Sequence, residues 1–170
     1  MSVKEQYQQK RMAAVDAIRV VRNGDTIVIP TGVGEPPALL TALSEVRRDF
    51  RGVHVAQILP LRKYAYIDPE TAEHVRHTAY FFGGSTRAGG QEGWIDYLPS
   101  YFSELPTLIS RDLIPVDVVF SMASPMDEHG FFSLSLGVDY TMAAVEKARA
   151  VALEVNPNVP FANGDCHIHI

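Results

Sequence analysis

The chain has 170 residues, of which 46% are hydrophobic and 21% charged, a balance typical of a folded domain and unlike that of a disordered segment. The net charge of −5, without any run of Lys and Arg, argues against a nucleic-acid surface. The N-terminus lacks the apolar segment of a secretory signal, and no apolar run is long enough to cross a membrane. The single cysteine, Cys166, cannot form an intrachain disulfide. The composition therefore predicts a cytoplasmic protein with no nucleic-acid or membrane partner.

Apolar periodicity predicts, in chain order, a helix over residues 3–21, a strand over 26–30 and a helix from 36 to 47. Strands are predicted over 53–59, 78–82, 116–122 and 131–134, with a short helix between the first two. A helix over 140–148, with Thr141 as its N-cap, precedes a strand over 150–155. Near-continuous apolar strands separated by helices favour an α/β fold with a central, largely parallel sheet flanked by helices. No internal repeat or linker appears, so residues 1–170 are predicted to form a single α/β domain.

The first predicted strand leads into the next helix through the sequence TGVGEPP, which contains Gly32, Val33, Gly34 and Glu35. It lacks the Gly-Lys-Ser/Thr of a P-loop and the third glycine of a dinucleotide fingerprint. The two glycines permit close approach of the backbone, which suits an anion, a carboxylate or a thioester oxygen. These four residues are therefore predicted to bind substrate. The alternative is a tight turn in which Glu35 only caps the helix.

A second glycine-rich segment, GGSTRAGG at residues 83–90, is predicted to be a long turn and a second ligand site. The hydroxyls of Ser85 and Thr86 and the guanidinium of Arg87 suit a carboxylate or a phosphate. The alternative is an ordinary surface loop, since glycine-rich loops with one arginine are common.

Two further polar clusters favour structural interpretations. The segment SPMDEHG at residues 124–130 reads as a polar turn between strands, because no nucleophile with an evident partner lies nearby. His167 and His169 would share one face of a strand, but they lack a third ligand, so no metal site is predicted. Residues 166–170 alternate like a strand and stop in mid-pattern, which predicts that the chain is the front part of a longer protein.

Several stretches resemble the N-terminal domain of the acetyl-CoA hydrolase/transferase family, which includes the 4-hydroxybutyrate CoA-transferases. They are TGVGEPPALLTAL, FFGGSTR, DYLPSYFSELPTLI and the long block over residues 116–170. The resemblance implies that this chain is one NagB/RpiA-like α/β half of a two-domain CoA-transferase whose active site lies between the halves. It implies that a glutamate of the C-terminal half attacks the acyl-CoA thioester, forms an acyl-glutamyl anhydride and then carries CoA. Nothing in residues 1–170 matches the motif of that glutamate, so no catalytic residue is predicted in this chain.

The resemblance also implies the partners. Coenzyme A is a co-substrate rather than a tightly bound cofactor, and the other partners are acyl-CoA, a short-chain carboxylate and the C-terminal domain of the same protein. The turn at residues 32–35 and the loop containing Ser85, Thr86 and Arg87 would form walls of the acyl-binding cleft. The surface facing the second half predicts a homo-oligomer as well.

Alternative functions remain at this stage. The full-length protein could be an acyl-CoA hydrolase, since the difference from a transferase depends on excluding water from the covalent intermediate. The chain could instead be a non-catalytic acyl-CoA-binding or scaffold module, and alone it is predicted to be inactive. A sugar-phosphate isomerase is the weakest candidate, because the scattered lysines and arginines do not suggest a phosphate cradle.

Overall fold

The computed structural model describes residues 1–170. Its helices are α1 (Val3–Lys10), α2 (Ala14–Ala17), α3 (Pro37–Glu45), α4 (Arg87–Glu92), α5 (Leu105–Ser110) and α6 (Thr141–Lys147). Its strands are β1 (Thr26–Val28), β2 (Val53–Gln57), β3 (Val75–Ala79), β4 (Asp96–Tyr97), β5 (Val118–Ala123), β6 (Phe131–Ser133), β7 (Ala150–Val155) and β8 (His167–His169).

Six strands form one parallel sheet in the order β4-β3-β2-β1-β5-β7. The chain starts at β1 in the middle, builds outward through β2, β3 and β4, and then crosses to the other side of β1 to add β5 and β7. The strand order therefore reverses between β1 and β5. In open α/β sheets, the crevice at the carboxyl ends of the strands beside such a switch is the usual ligand site.

Both faces of the sheet are covered by apolar side chains, as expected for parallel strands. Ile27 and Ile29 belong to a core shared with α3, whereas Val28 belongs to a separate core shared with α5 and α6. Successive side chains of β1 therefore pack against helices on opposite faces of the sheet. These observations confirm the predicted α/β fold with a parallel central sheet flanked by helices.

The remaining strands, β6 and β8, form a separate antiparallel pair in which Phe131 lies opposite His169. The alternating pattern of the last residues therefore does form a strand. Helix α1 contacts this pair through Tyr7, whose ring centroid lies 6.0 Å from that of Phe132. Unlike α3, α1 buries none of its residues.

The prediction of one continuous helix over residues 3–21 is wrong, because the segment is interrupted between α1 and α2. Ser2 and Glu5 form a capping box that begins α1, but Arg11 and Ala13 adopt extended backbone before α2 begins. The apolar residues of this segment are concentrated after Ala13, so only its second part gains burial against the sheet.

Three other details also differ from the sequence prediction. Thr141 is not the N-cap of α6: the carboxylate of Asp139 accepts hydrogen bonds from its N–H at 2.9 Å and its hydroxyl at 2.6 Å. Strand β3 begins at Val75 and ends at Ala79, three residues earlier than predicted. The glycine-rich segment at 83–90 is not all turn, because α4 begins at Arg87 within it.

No helix in the structure is long and apolar enough to span a bilayer, and the longest, α3, has nine residues.

His77 is an unusual polar residue in the core. Its side chain on β3 is 2% exposed, neither ring nitrogen has a hydrogen-bond partner, and the ring stacks on Tyr66 with 6.2 Å between centroids. Burial disfavours the charged imidazolium and lowers the pKa of His77 from 6.5 to about 4. The folded protein therefore holds a neutral histidine where the unfolded chain would bind a proton.

We predict that His77 makes the protein sensitive to mild acid. Between pH 6.5 and about 4 the unfolded state binds one more proton than the folded state, so the free energy of unfolding falls as the pH falls. The slope is about 1.4 kcal/mol per pH unit, for a total loss of up to about 3 kcal/mol. The free energy of unfolding, measured by urea denaturation at several pH values in this range, should depend less steeply on pH in His77→Leu than in the unmodified protein. His129→Leu, which removes a histidine whose side chain is 73% exposed, is the matched control; equal slopes for the two variants would contradict the assignment.

Candidate functional site

Three loops meet at the carboxyl edge of the sheet, beside the reversal of strand order. The Gly32–Gly34 turn follows β1, residues 59–63 follow β2, and residues 83–86 follow β3 and lead into α4. The first two loops are joined by a hydrogen bond from Gly32 N to Leu59 O at 3.2 Å. The structure therefore brings both predicted ligand segments to one edge, with the loop after β2 between them.

The Gly32–Gly34 turn needs both of its glycines, for different reasons. Gly32 has φ +49°, a backbone conformation that L side chains rarely adopt. Gly34 is packed against another backbone, because a Cβ added to it would lie 2.7 Å from Gly137 Cα. Thr31 N donates to the carboxylate of Asp139 at 2.9 Å and so fastens the turn to the same neighbouring segment.

Within this turn, one backbone donor is left available. Gly34 N donates to Thr31 O and Glu35 N donates to Gly32 O, which closes the turn. The N–H of Val33 has no acceptor in the chain, and Val33 is 58% exposed. An unpaired backbone N–H in an exposed residue can donate to a carboxylate or to the oxygen of a thioester.

Glu35 lies on the inner side of the turn and is only 3% exposed. Its Oε2 accepts hydrogen bonds from Gln57 Nε2 at 2.9 Å and from Leu61 N at 3.1 Å, and its Oε1 accepts from the hydroxyl of Tyr64 at 2.6 Å. A carboxylate buried in this way requires such donors, because removing it from water without them is very costly. Glu35 therefore fixes the loop after β2 against the turn after β1.

The two tyrosines beside Glu35 remain neutral, and only Tyr64 donates a hydrogen bond to it. Burial raises the pKa of Tyr64, and the hydrogen bond to Glu35 raises it further. Burial also raises the pKa of Tyr66, whose ring stacks on that of Tyr64 with 5.9 Å between centroids. Neither phenol would ionise at neutral pH, so both suit a structural role beside a carboxylate.

The three residues predicted in the second segment have different environments. Thr86 is fully buried, and its hydroxyl accepts a hydrogen bond from Gly83 N at 3.0 Å, which stabilises the loop itself. Ser85 lines a cavity, and its buried hydroxyl oxygen has no partner. Arg87 is exposed and has no carboxylate within ion-pair distance. The prediction that Ser85, Thr86 and Arg87 contact a substrate remains a prediction.

The cavity beside Ser85 has a volume of about 460 Å³ and lies between the loops that follow β2 and β3. Its lining residues are Pro60, Leu61, Arg62, Lys63, Gly84, Ser85, Ala88, Gly89 and Trp94. Sequence analysis did not single out Arg62 and Lys63. They lie in the loop that follows the buried parallel strand β2, and this position is the signal that could have identified them.

The polar residues of the earlier clusters are not brought together as a metal site. No group of three or more His, Cys, Asp and Glu side chains in residues 1–170 could hold a metal ion. In the 124–130 turn, Asp127 accepts hydrogen bonds from the N–H groups of His129 and Phe131, which lower the pKa of its carboxyl. His167 contacts the carbonyl oxygen of Ala162 at 2.9 Å.

We expect the Glu35 network to be important for stability. Glu35→Ala would leave Leu61 N and the hydroxyl of Tyr64 without an acceptor and Gln57 Nε2 with only Pro30 O. It should lower the free energy of unfolding by about 3 kcal/mol or more. Glu35→Gln keeps one acceptor and should cost less. Urea denaturation measures both variants. Glu45→Ala, at the exposed end of α3, should change stability by less than about 0.5 kcal/mol, and an equal loss in Glu35→Ala and Glu45→Ala would contradict the network.

We also expect the close approach of Gly34 and Gly137 to limit substitution. In Gly34→Ala the new Cβ meets Gly137 Cα at 2.7 Å and Pro30 Cβ at 2.9 Å, neither of which can rotate away. The substitution should destabilise the chain by about 1–3 kcal/mol. In the matched variant Gly84→Ala, the new Cβ has no atom within 4 Å, so stability should be almost unchanged. Thermal unfolding of the two variants distinguishes these outcomes, and similar melting temperatures would overturn the packing argument.

Comparison with known proteins places this geometry in a family. Along residues 1–170 the chain matches the family described as the acetyl-CoA hydrolase/transferase N-terminal domain. It is 43% identical over 169 residues to a succinyl-CoA:cyclohexane-1-carboxylate CoA transferase of Geobacter metallireducens, covering 99% of this chain and 38% of that protein. It is 35% identical over 170 residues to a 4-hydroxybutyrate coenzyme A transferase of Clostridium kluyveri, covering 100% of this chain and 40% of that protein. The chain thus spans about two fifths of the length of these relatives.

Solved structures agree with the sequence comparison. RipA from Yersinia pestis is similar with a TM-score of 0.88 and 28% identity, over 99% of this chain and 42% of that chain. A 4-hydroxybutyrate CoA-transferase from Porphyromonas gingivalis is similar with a TM-score of 0.80 and 26% identity, over 98% of this chain and 38% of that chain. The resemblance inferred from the glycine turn and the long C-terminal block is confirmed: the chain belongs to the acetyl-CoA hydrolase/transferase N-terminal domain family.

Proposed function

We propose that this chain is part of a CoA-transferase that moves CoA between a short-chain acyl-CoA and a free carboxylate. The names of its relatives support this reaction, since the two relatives compared above are CoA transferases. The structural observation that carries the proposal is the meeting of three loops at the carboxyl edge of the sheet, where a ligand is expected. Coenzyme A is a co-substrate in this reaction.

The proposed chemistry proceeds by a ping-pong route through a glutamate in the remainder of the protein. The glutamate carboxylate attacks the thioester carbonyl, the CoA thiolate leaves, and an acyl-glutamyl anhydride forms. The thiolate then attacks the glutamyl carbonyl and releases the first carboxylate, leaving a glutamyl-CoA thioester. A second carboxylate enters and the same steps run in reverse, which returns the free glutamate and a new acyl-CoA.

Glu35 is a poor candidate for that nucleophile. Both of its oxygens already accept hydrogen bonds from groups of the protein, and the residue is buried beneath the turn. An attacking carboxylate must reach a thioester carbon, which requires an exposed oxygen with space beside it. In the proposal Glu35 is a positioning residue that holds the Gly32–Gly34 turn and the loop after β2 together.

The role of this chain in the proposed reaction is to shape the site for the acyl group. The unpaired N–H of Val33 would donate to the carbonyl oxygen of the substrate as negative charge develops there. Gly32 would give the turn its positive φ, and Gly34 would let the turn pack on Gly137, so that the N–H of Val33 is held in place. Arg87 would contact the acceptor carboxylate, Ser85 would line the acyl-binding cleft, and Thr86 would support their loop through its bond to Gly83.

Exposed apolar side chains, which we call the apolar rim, lie in the segments that follow four strands of the sheet. Large apolar side chains that follow β1, β2, β3 and β4 are exposed to solvent, namely Val33, Leu61, Phe81, Tyr101 and Phe102. A grouping of this kind is unusual on a surface that remains in water. We propose that the remainder of the longer protein covers this rim and encloses the site. A homo-oligomer and a cytoplasmic location, expected from the sequence, stay predictions.

The alternative within the family is an acyl-CoA hydrolase. The two reactions share the same covalent intermediate and differ in whether water or a carboxylate attacks it. The transferase is favoured because an apolar rim around the site would exclude water once it is covered. A binding module without catalysis is the other alternative.

The test is an exchange assay with the full-length protein. Acetyl-CoA and a labelled short-chain carboxylate should give labelled acyl-CoA, with little release of free CoA when the carboxylate is omitted. Borohydride should inactivate the protein only after incubation with acyl-CoA, because it reduces a glutamyl thioester to an alcohol. Peptide mass spectrometry would locate the reduced glutamate.

The controls separate the three candidate functions. Rapid release of CoA without an acceptor would indicate a hydrolase, and binding of acyl-CoA without exchange or release would indicate a binding module. A reduced glutamate found at Glu35 would contradict the positioning role given to it here.

A further inference from the structure

The cavity between the loops after β2 and β3 has an unbalanced charge. Two cationic residues, Arg62 and Lys63, line it, and no acidic residue does. A smaller neighbouring cavity of about 350 Å³ is also lined by Arg62 and Lys63, but it contains Glu45 as well as Arg47. Glu45 thus lines the second cavity only, and the charged residues that line the first cavity are all cationic.

Neither cation has a partner elsewhere. Other basic residues of the chain do form close ion pairs: Arg149 with Asp25 at 2.6 Å and Arg76 with Asp96 at 2.8 Å. Arg62 and Lys63 have no carboxylate oxygen within 4.0 Å. The guanidinium carbon of Arg62 lies 5.9 Å from the centroid of the Tyr64 ring. Both side chains are thus available to an anion.

The opposite wall of the cavity supplies hydrogen-bond donors. The hydroxyl oxygen of Ser85 is buried and has no partner in the chain. The N–H groups of Gly84 and Ser85 also have no acceptor in the chain. A buried hydroxyl without a partner carries a free-energy cost that a bound acceptor would remove.

The cavity is held next to the proposed acyl site. Leu61, which lines it, donates its N–H to Glu35 at 3.1 Å, and Leu59 O accepts from Gly32 N at 3.2 Å. These two bonds fix the segment that carries Arg62 and Lys63 against the Gly32–Gly34 turn. A ligand with its reacting carbonyl at that turn could therefore extend a second group into the cavity.

We propose that Arg62, Lys63 and Ser85 form a subsite for an anionic group of the substrate. The source that we assign is the free carboxylate of a dicarboxylic acyl group or acceptor, such as that of succinate. Arg62 and Lys63 would bind this carboxylate by charge-assisted hydrogen bonds, and the hydroxyl of Ser85 would donate to it. The phosphates of CoA offer the same chemistry and are the other possible source. The role of this subsite in the reaction rests on the proposed function. The binding of an anion by the subsite is argued from the cavity alone.

The kinetic test uses succinyl-CoA and butyryl-CoA as donors for the full-length protein. They have acyl chains of equal length and differ in the terminal carboxylate. In the double variant Arg62→Met/Lys63→Met, the ratio of kcat/KM for succinyl-CoA to that for butyryl-CoA should fall about tenfold or more. The charge-conserving exchange Arg62→Lys/Lys63→Arg should retain much of the ratio. Arg111→Met, which removes an exposed cation at the end of α5, should leave it unchanged.

Two outcomes would overturn the assignment. An equal fall for both donors, with the ratio preserved, would show that the cations bind the phosphates of CoA. No change for either donor would show that the cavity binds no anion during the reaction.

A binding measurement keeps the inference separate from the proposed function. If the unmodified protein exchanges neither donor, the transferase proposal fails, but the subsite can still be tested with succinate and its neutral diamide, succinamide. Succinate should shift the backbone amide NMR signals of Gly84 and Ser85 in the unmodified protein and not in Arg62→Met/Lys63→Met, whereas succinamide should shift them in neither. Equal shifts with both compounds, or none with succinate, would contradict the carboxylate subsite.

Discussion

The arrangement of the site depends on one buried carboxylate. Glu35 joins the turn after β1 to the loop after β2 because its two oxygens accept from Gln57, Leu61 and Tyr64. On the opposite face of the sheet, the hydroxyl of Tyr140 performs the same function: it donates to Ile29 O at 2.6 Å and accepts from Ile58 N at 3.2 Å. The ends of two adjacent parallel strands are thus connected from both sides. A buried carboxylate that lacked such partners would lower the stability of the fold substantially.

The two sides of the glycine turn after β1 have different roles: one supports the site, and the other is available for contact with a ligand. The inner side of the turn carries Glu35, whose bonding capacity is used within the protein. Its outer side presents the N–H of Val33 and the exposed apolar side chains, whose capacity is unused. A site whose supporting bonds are made before the ligand arrives loses less entropy on binding and holds reacting groups in place. We infer that the buried network is what allows a short loop with two glycines to be rigid.

Sequence patterns predicted the fold and the glycine turn, and they failed where the structure depends on distant contacts. The buried strands carry near-continuous apolar runs, and Gly32 and Gly34 have local geometric requirements, so both were recognisable. The bonds of Glu35 reach residues 22 to 29 positions away, and no local pattern encodes them. Strand β4 has only two residues, Asp96 and Tyr97, so it has no periodicity to detect. Arg62 and Lys63 were missed because residue type alone does not show which cations lack a partner.

Charge at the site differs in sign from charge on the whole chain. With a net charge of −5 the protein as a whole repels carboxylates and CoA, which are anions. At physiological ionic strength, however, charges more than about 8 Å apart are largely screened, so the nearest groups determine the local potential. Arg62 and Lys63 line the cavity without a neutralising acid, and Arg87 begins the helix beside it. An anion that enters this cavity would therefore meet cationic side chains, although the chain that carries them is acidic.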